Sequence, residues 1–364
     1  MALGALWNVG WGFTQRCNMN CTFCYSKNVR KDLSKPPDAD YKLHLDFVRL
    51  NADKINSINW GTSENSLSPE WFDLIDGISA INSDIVQGVT TNGHLSIACE
   101  KTDRTLSTVR SVIKDVDVSI DFADVERHDF LRGCSGAHRH AVNTLELCKE
   151  LGIPRSIVMI GLADTLAIDN LEGLMELANR YEANLRINIY RPIGNRLDPV
   201  SYFVFKVAIR HLVKHHHVVS LADPLFAATM GLSAPDPSGW NSVRILPCGS
   251  ITPSTYLVSK EWIAGNLFEE TIQLDRLPDQ VPFQTIKGAP LPPECKGCPA
   301  ENSCSGGAKD RRVLWYGTLN VRDPYCPFRY EEELLWEEPD QIQYAEKNGP
   351  LIHDGYLPTL IFAP

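Results

Sequence analysis

The chain has 364 residues, 43% of them hydrophobic and 22% charged, enough for one large domain or for one domain with a smaller companion. Its formal net charge of −10 argues against a general nucleic-acid or anionic-membrane binder. No apolar run nears the roughly 20 residues of a membrane span, and MALGALWNVGWGFTQR, ahead of the first cysteine, has no basic leader, so a cytoplasmic location is expected. In chain order, LWNVGWGF reads as a first strand that ends at a cysteine-rich loop. HLDFVRLNADKI has helical spacing and INSINWG is a second strand. SPEWFDLIDGISAI predicts a helix with Ser68 as N-cap and Pro69 in its first position. DIVQGVTTNG is a third strand, stopped at Asn92-Gly93; DVDVSIDF, PRSIVMIGL and NLRINIYRP are the fourth to sixth, with helices near 95–113, 137–151 and 168–181 between them. This alternation predicts an α/β fold, a partial (β/α)6 parallel barrel over residues 1–234. From about residue 235, segments such as SAPDPSGWNS and GAPLPPECKGCPAENSCSGG turn rich in Pro and Gly. They predict a small loop-rich C-terminal domain over 235–335, of the kind commonly held by metal. Residues 336–364 form a tail with no signal of its own.

Eleven cysteines, an odd number with seven in two short-spaced clusters, point to metal binding rather than disulfides. The first cluster is Cys17-x3-Cys21-x2-Cys24, directly after the first strand. In parallel α/β barrels the active site gathers at the C-terminal strand ends. Three thiolates can hold three irons of a [4Fe–4S] cluster and leave the fourth open to a small-molecule ligand. The alternative is a zinc knuckle completed from elsewhere, although zinc ligands more often come as paired Cys-x2-Cys units.

CNMNCTFC resembles the signature of the radical S-adenosylmethionine (SAM) superfamily, including Phe23 before the last cysteine. The resemblance covers roughly residues 5–335 and implies SAM chelated at the open iron. It implies reductive cleavage to a 5′-deoxyadenosyl radical, and an external electron donor such as flavodoxin or ferredoxin. WGTSEN resembles the family's Gly-Gly-Glu motif and nominates Gly61 and Glu64 for the SAM amino group, with Thr62 and Ser63 departing from the usual pattern. TTNG at 90–93 and SID at 119–121 match family strand ends, which places Ser119 and Asp121 on the SAM or substrate side. HDFLRG resembles a stretch whose arginine pairs with the SAM carboxylate, which nominates Arg132.

The second cluster, Cys295-x2-Cys298-x5-Cys304 with Cys326, resembles the family's SPASM domain. A full SPASM domain carries two auxiliary clusters. Here Ala308 stands where one ligand is expected, and no cysteines follow Cys248 soon enough to supply others. One auxiliary [4Fe–4S] cluster is therefore implied, with Cys248 a remnant; zinc on four thiolates is the alternative. Cys248 is a candidate hydrogen-atom donor to the substrate radical, with extra ligand and inert thiol as competing roles, and Cys134 is a second candidate donor. Arg191, after the sixth strand, would bind a substrate carboxylate or phosphate, or pair with a structural carboxylate. His215 to His217 read as an exposed helix end.

Many relatives of this kind modify ribosomal peptides, some through an added leader-binding domain before the cysteines. Only 16 residues precede Cys17, so the expectation is a small-molecule natural-product substrate, a sugar, aminoglycoside or nucleoside. Dehydrogenation, epimerisation or decarboxylation would follow. The alternatives are a peptide maturase with a separate leader-binding partner and a non-enzymatic zinc-stabilised binding module.

Overall fold

Apolar runs bounded by turn residues build the expected strands. The structure is a computed structural model and describes residues 6–27, 41–194, 197–347, 349–354 and 356–364. Strands β1 (Trp7–Trp11), β2 (Ile55–Trp60), β3 (Val86–Thr91), β4 (Ile113–Ser119), β5 (Arg155–Gly161) and β6 (Asn184–Ile189) lie side by side in sequence order, all parallel. Helices α1 (Tyr41–Asn51), α2 (Pro69–Ile81), α3 (His94–Lys101), α4 (Asp103–Val112), α5 (Val125–Arg132), α6 (Ala137–Glu150) and α7 (Ile168–Arg180) run between them. This is the partial (β/α)6 barrel.

Local chemistry explains where the elements differ from expectation. The helix near 95–113 is two helices, because Thr102 leaves the helical conformation and its hydroxyl accepts from the Thr105 N–H. Helix α5 was not anticipated; the Asp124 carboxylate caps it by accepting from the Arg127 N–H at 2.8 Å. Ser68 stands at the N-cap of α2 with Pro69 first, but its hydroxyl donates to Glu70 at 2.7 Å instead of capping.

The chain continues through α8 (Tyr202–His215), β7 (His217–Leu221), α9 (Pro224–Thr229), β8 (Ser242–Ile245), β9 (Ser250–Thr252) and β10 (Gly265–Asn266). Then come α10 (Val281–Lys287), α11 (Glu301–Cys304), α12 (Lys309–Tyr316) and β11 (Leu360–Ala363). The strand order is β10-β9-β8-β1-β2-β3-β4-β5-β6-β11-β7. β8 pairs parallel with β1, Val243 opposite Val9. β11 wedges antiparallel between β6 and β7, with Ile361 opposite Arg186 and Leu360 opposite Leu221. One sheet therefore runs across both boundaries drawn on the sequence, 234/235 and 335/336.

Leu360 and Phe362 of β11 are fully buried, and burying side chains of this size stabilises by about 1.5–3 kcal/mol each. The segment leading to β11 packs against glycines in the barrel strands. A Cβ at Gly88 would stand 2.9 Å from Ile352 Cδ1, and a Cβ at Gly10 would overlap the Tyr356 ring. These two glycines weaken their strands but let the tail approach closely. No helix among the described residues is long and apolar enough to cross a membrane.

Candidate active site

The C-terminal ends of the parallel strands surround a cavity of about 190 Å³. Cys17, Cys21 and Cys24, all free thiols, line it. Their loop is held by backbone bonds from Asn20 N–H to the Arg132 carbonyl at 3.1 Å and from Thr22 N–H to the Leu131 carbonyl at 3.3 Å. Gly133 permits this contact twice over: it caps α5 at φ +60°, and a Cβ there would sit 3.0 Å from the Asn20 carbonyl oxygen. Asn92 Nδ2 reaches toward Cys17 Sγ at 3.8 Å and donates to Asn18 Oδ1 at 2.8 Å. The Arg132 guanidinium lies over the Phe23 ring, 5.1 Å from its centroid. Burial pushes the Cys21 thiol up, opposed by the Arg132 charge. Three thiols lining one cavity beside a guanidinium are a donor set that fits a three-coordinated iron–sulfur cluster.

Phe23, Gly61, Ser119 and Arg132 line the cavity, and so do Thr91 and Asn92 of the third strand end. Asp121 does not: it is fully buried, and its carboxylate accepts from Arg132 Nε at 2.6 Å and Ile160 N–H at 3.0 Å. It therefore aims Arg132 without meeting a ligand. Glu64 also faces away. Its buried carboxylate accepts from Ser66 Oγ at 2.6 Å, Thr91 Oγ1 at 3.0 Å and Asn92 N–H at 2.7 Å. Thr62 and Ser63, at φ 62° and 72°, turn the loop so that this carboxylate points inward.

Arg191 lines the cavity, yet it pairs with buried Asp310 at 3.2 Å and lies over Tyr256 at 4.6 Å. Cys134 packs on the cysteine loop beside Met19 and Cys21, and Cys248 sits near Ser250 Oγ at 3.4 Å with its carbonyl accepting from Asn266 Nδ2 at 3.1 Å. Neither is among the cavity-lining residues.

Sequence reasoning missed the opposite wall. Tyr25 follows the cysteine loop, Arg244 comes from β8, and Tyr256 from the loop after β9. His353, Tyr356 and Leu357 come from the tail. No local motif marks them, because partners remote in sequence bring them in.

His353 Nδ1 lies against the Asp117 carboxylate, which pairs with Arg186 Nη2 at 2.8 Å. Asp115, two residues earlier on the same face of β4, accepts from the Ile352 N–H at 2.9 Å. Burial, then the charge of Asp117, pushes the Asp115 carboxyl up to about 8. An unfolded Asp titrates near 3.9. The folded chain thus binds this proton more firmly, and stability falls as pH rises from about 4 to about 8. Asp115→Asn is expected to flatten the decline in melting temperature between about pH 4 and about pH 8. An unchanged slope in thermal melts would contradict this.

Cys295, Cys298, Cys304 and Cys326 line a second, separate cavity. A tetrahedral zinc with bonds of about 2.3 Å would draw four sulfurs to within about 4 Å of one another. Among the described residues, the trios of His, Cys, Asp and Glu ligand atoms within 4.8 Å of each other contain no cysteine. The histidines lie at a helix end as expected: α8 closes at exposed His215, half-buried His216 shares Glu172 with His211 at 3.0 and 2.6 Å, and exposed His217 opens β7.

Residues 11–178 match the sequence model of the Radical SAM superfamily. The mycofactocin maturase MftC of Mycobacterium ulcerans (strain Agy99) is 23% identical over 90% of this chain and 89% of its own. The antilisterial bacteriocin subtilosin biosynthesis protein AlbA of Bacillus subtilis (strain 168) is 23% identical over 71% of this chain and 57% of its own. In fold, Streptococcus suis SuiB bound to S-adenosylmethionine superposes with a TM-score of 0.67 at 14% identity, over 88% of this chain and 77% of that one. The expectation of a small-molecule substrate is corrected here. The curated relatives that align along most of the chain are named as a maturase and a bacteriocin biosynthesis protein, and neither name is that of a sugar or nucleoside enzyme.

Proposed function

The chain belongs to the radical SAM superfamily, and from that premise we infer that it is a maturase acting on a ribosomally made peptide. The observation that carries this reading is its alignment with a named maturase over nine-tenths of both chains. When bound, SAM and its [4Fe–4S] cluster supply a radical able to take a hydrogen atom from the substrate.

The chain's own residues do the holding and aiming. Cys17, Cys21 and Cys24 would hold three irons, steadied by Asn92 behind Cys17. Arg132, fixed by Asp121 and Phe23, keeps guanidinium donors for the SAM carboxylate. Gly61 leaves room at the end of β2, and Ser119 offers a hydroxyl at the end of β4. The buried rings of Tyr256 and Tyr356 exclude water from the far wall. Cys295, Cys298, Cys304 and Cys326 would hold the auxiliary cluster, and a flavodoxin or ferredoxin would supply electrons. A separate leader-binding protein would present the peptide.

The test uses anaerobically reconstituted protein with reductant, SAM and each short peptide found encoded near its gene. The expected result is a mass change in the peptide together with 5′-deoxyadenosine. An unaltered peptide, with and without its leader-binding protein, would overturn the reading.

A further inference from the structure

Four arginines line the cavity, and three are neutralised. Arg132 pairs with Asp121 at 2.6 Å, Arg186 with Asp117 at 2.8 Å and Arg191 with Asp310 at 3.2 Å. Arg244 is 2% exposed and pairs with no carboxylate among the described residues. Its Nη1 donates to Tyr356 Oη at 3.0 Å, its Nη2 meets Thr62 Oγ1, and its Nε has no partner. A buried charge left unpaired is costly, and most such charges are paired or bind something.

The groups around it are unmet in the same sense. Asn59 Nδ2 and Ser63 Oγ are buried without partners. Arg244 Nη2 and Asn59 Oδ1 each stand 3.4 Å from where a Cβ on Gly61 would be, so the two side chains meet at a position left open by glycine. Thr62 and Ser63 hold consecutive left-handed conformations that non-glycine residues seldom adopt. An unmatched single positive charge with free N–H and O–H groups lacks one thing, a compact singly charged acceptor. A carboxylate fits, because it can accept a guanidinium and an amide together.

We propose that Arg244, Asn59 and Ser63 form a subsite for a carboxylate of the peptide substrate. The assignment rests on the peptide reading, since a peptide carries carboxylates on Asp and Glu side chains and at its C-terminus. Arg132, against the cysteine loop, is the arginine placed to meet SAM. Arg244 comes from β8, four places from β4 in the sheet.

Calorimetry on the holoenzyme with saturating SAM tests the subsite with small probes. N-acetyl-L-alanine carries a terminal carboxylate, N-acetyl-L-aspartic acid α-amide carries one on its side chain, and N-acetyl-L-alaninamide has none. At least one acid is expected to bind about tenfold more tightly than the amide, and the tighter acid identifies the source of the carboxylate. Arg244→Gln should erase the difference. Should that variant fail to fold, Ser63→Ala should shrink it several-fold, roughly the loss of one charge-assisted hydrogen bond. Equal binding of acids and amide by the wild-type enzyme would overturn the proposal. So would an acid preference seen only without SAM, which would give the subsite to the SAM carboxylate. Acid preference without peptide modification leaves the subsite standing and removes the maturase reading; peptide modification without acid preference does the reverse.

Discussion

Replacing Cys17, Cys21 and Cys24 together by alanine is expected to abolish reductive cleavage of SAM and to remove about half the iron. Two four-iron clusters amount to about eight irons per chain. The two cysteine sets line separate cavities, so the loss should stay confined to the first. The loop should keep its place, because backbone bonds to the end of α5 hold it independently of its sulfurs. Iron and sulfide analysis of anaerobic protein, with chromatography of 5′-deoxyadenosine, reads both effects. Cleavage surviving in the triple variant would sink the assignment. A wild-type value near twelve irons would mean a further cluster and a ligand set beyond the one read around Ala308.

Arg311→Met is expected to cost about 3–5 kcal/mol, the range for removing one partner from a buried ionic group. Arg311 is fully buried. Its Nη1 donates to Asp223 at 2.6 Å, and its Nε donates to Asp323 at 2.9 Å. Asp223 caps α9 through the Leu225 N–H at 3.0 Å, and Asp323 borders the cavity of the second cysteine set. One guanidinium therefore ties the cysteine-bearing loops to the helix after β7. Its removal strands two buried carboxylates, a large fraction of the 5–15 kcal/mol typical of total stability. Urea midpoints should fall sharply, and adding Asp223→Asn and Asp323→Asn should restore most of the loss. A midpoint unchanged in Arg311→Met would refute the role.

The six parallel strands were legible because each is a continuous apolar run between turn residues, as in SINW and SIVMIG. The cysteine loop was legible from spacing alone. Glu64 shows the limit of motif matching: its neighbours supply three hydrogen bonds and a left-handed turn, and neither is visible in GTSEN. Arg244 lay in a stretch read as loop-rich, since SVRI becomes a strand only through its pairing with β1. The substrate class was misjudged by weighing the residues ahead of Cys17, a matter on which cavity chemistry has no bearing.

The tail read as featureless because everything it touches is far away along the chain. Ile352 bonds to Asp115 across 237 residues, and Thr359 approaches Ile187 across 172. Contacts this distant demand the largest loop closures and, in general, slow folding. The far wall of the cavity is thus finished only when the sheet accepts β11. Without it the cysteine loop, held by the end of α5 and by Asn92, faces a barrel open on the side that His353 and Tyr356 close. The thiols and the far wall of the chamber thus rest on different parts of the chain, the first on α5 and the third strand end, the second on the segment that leads to β11.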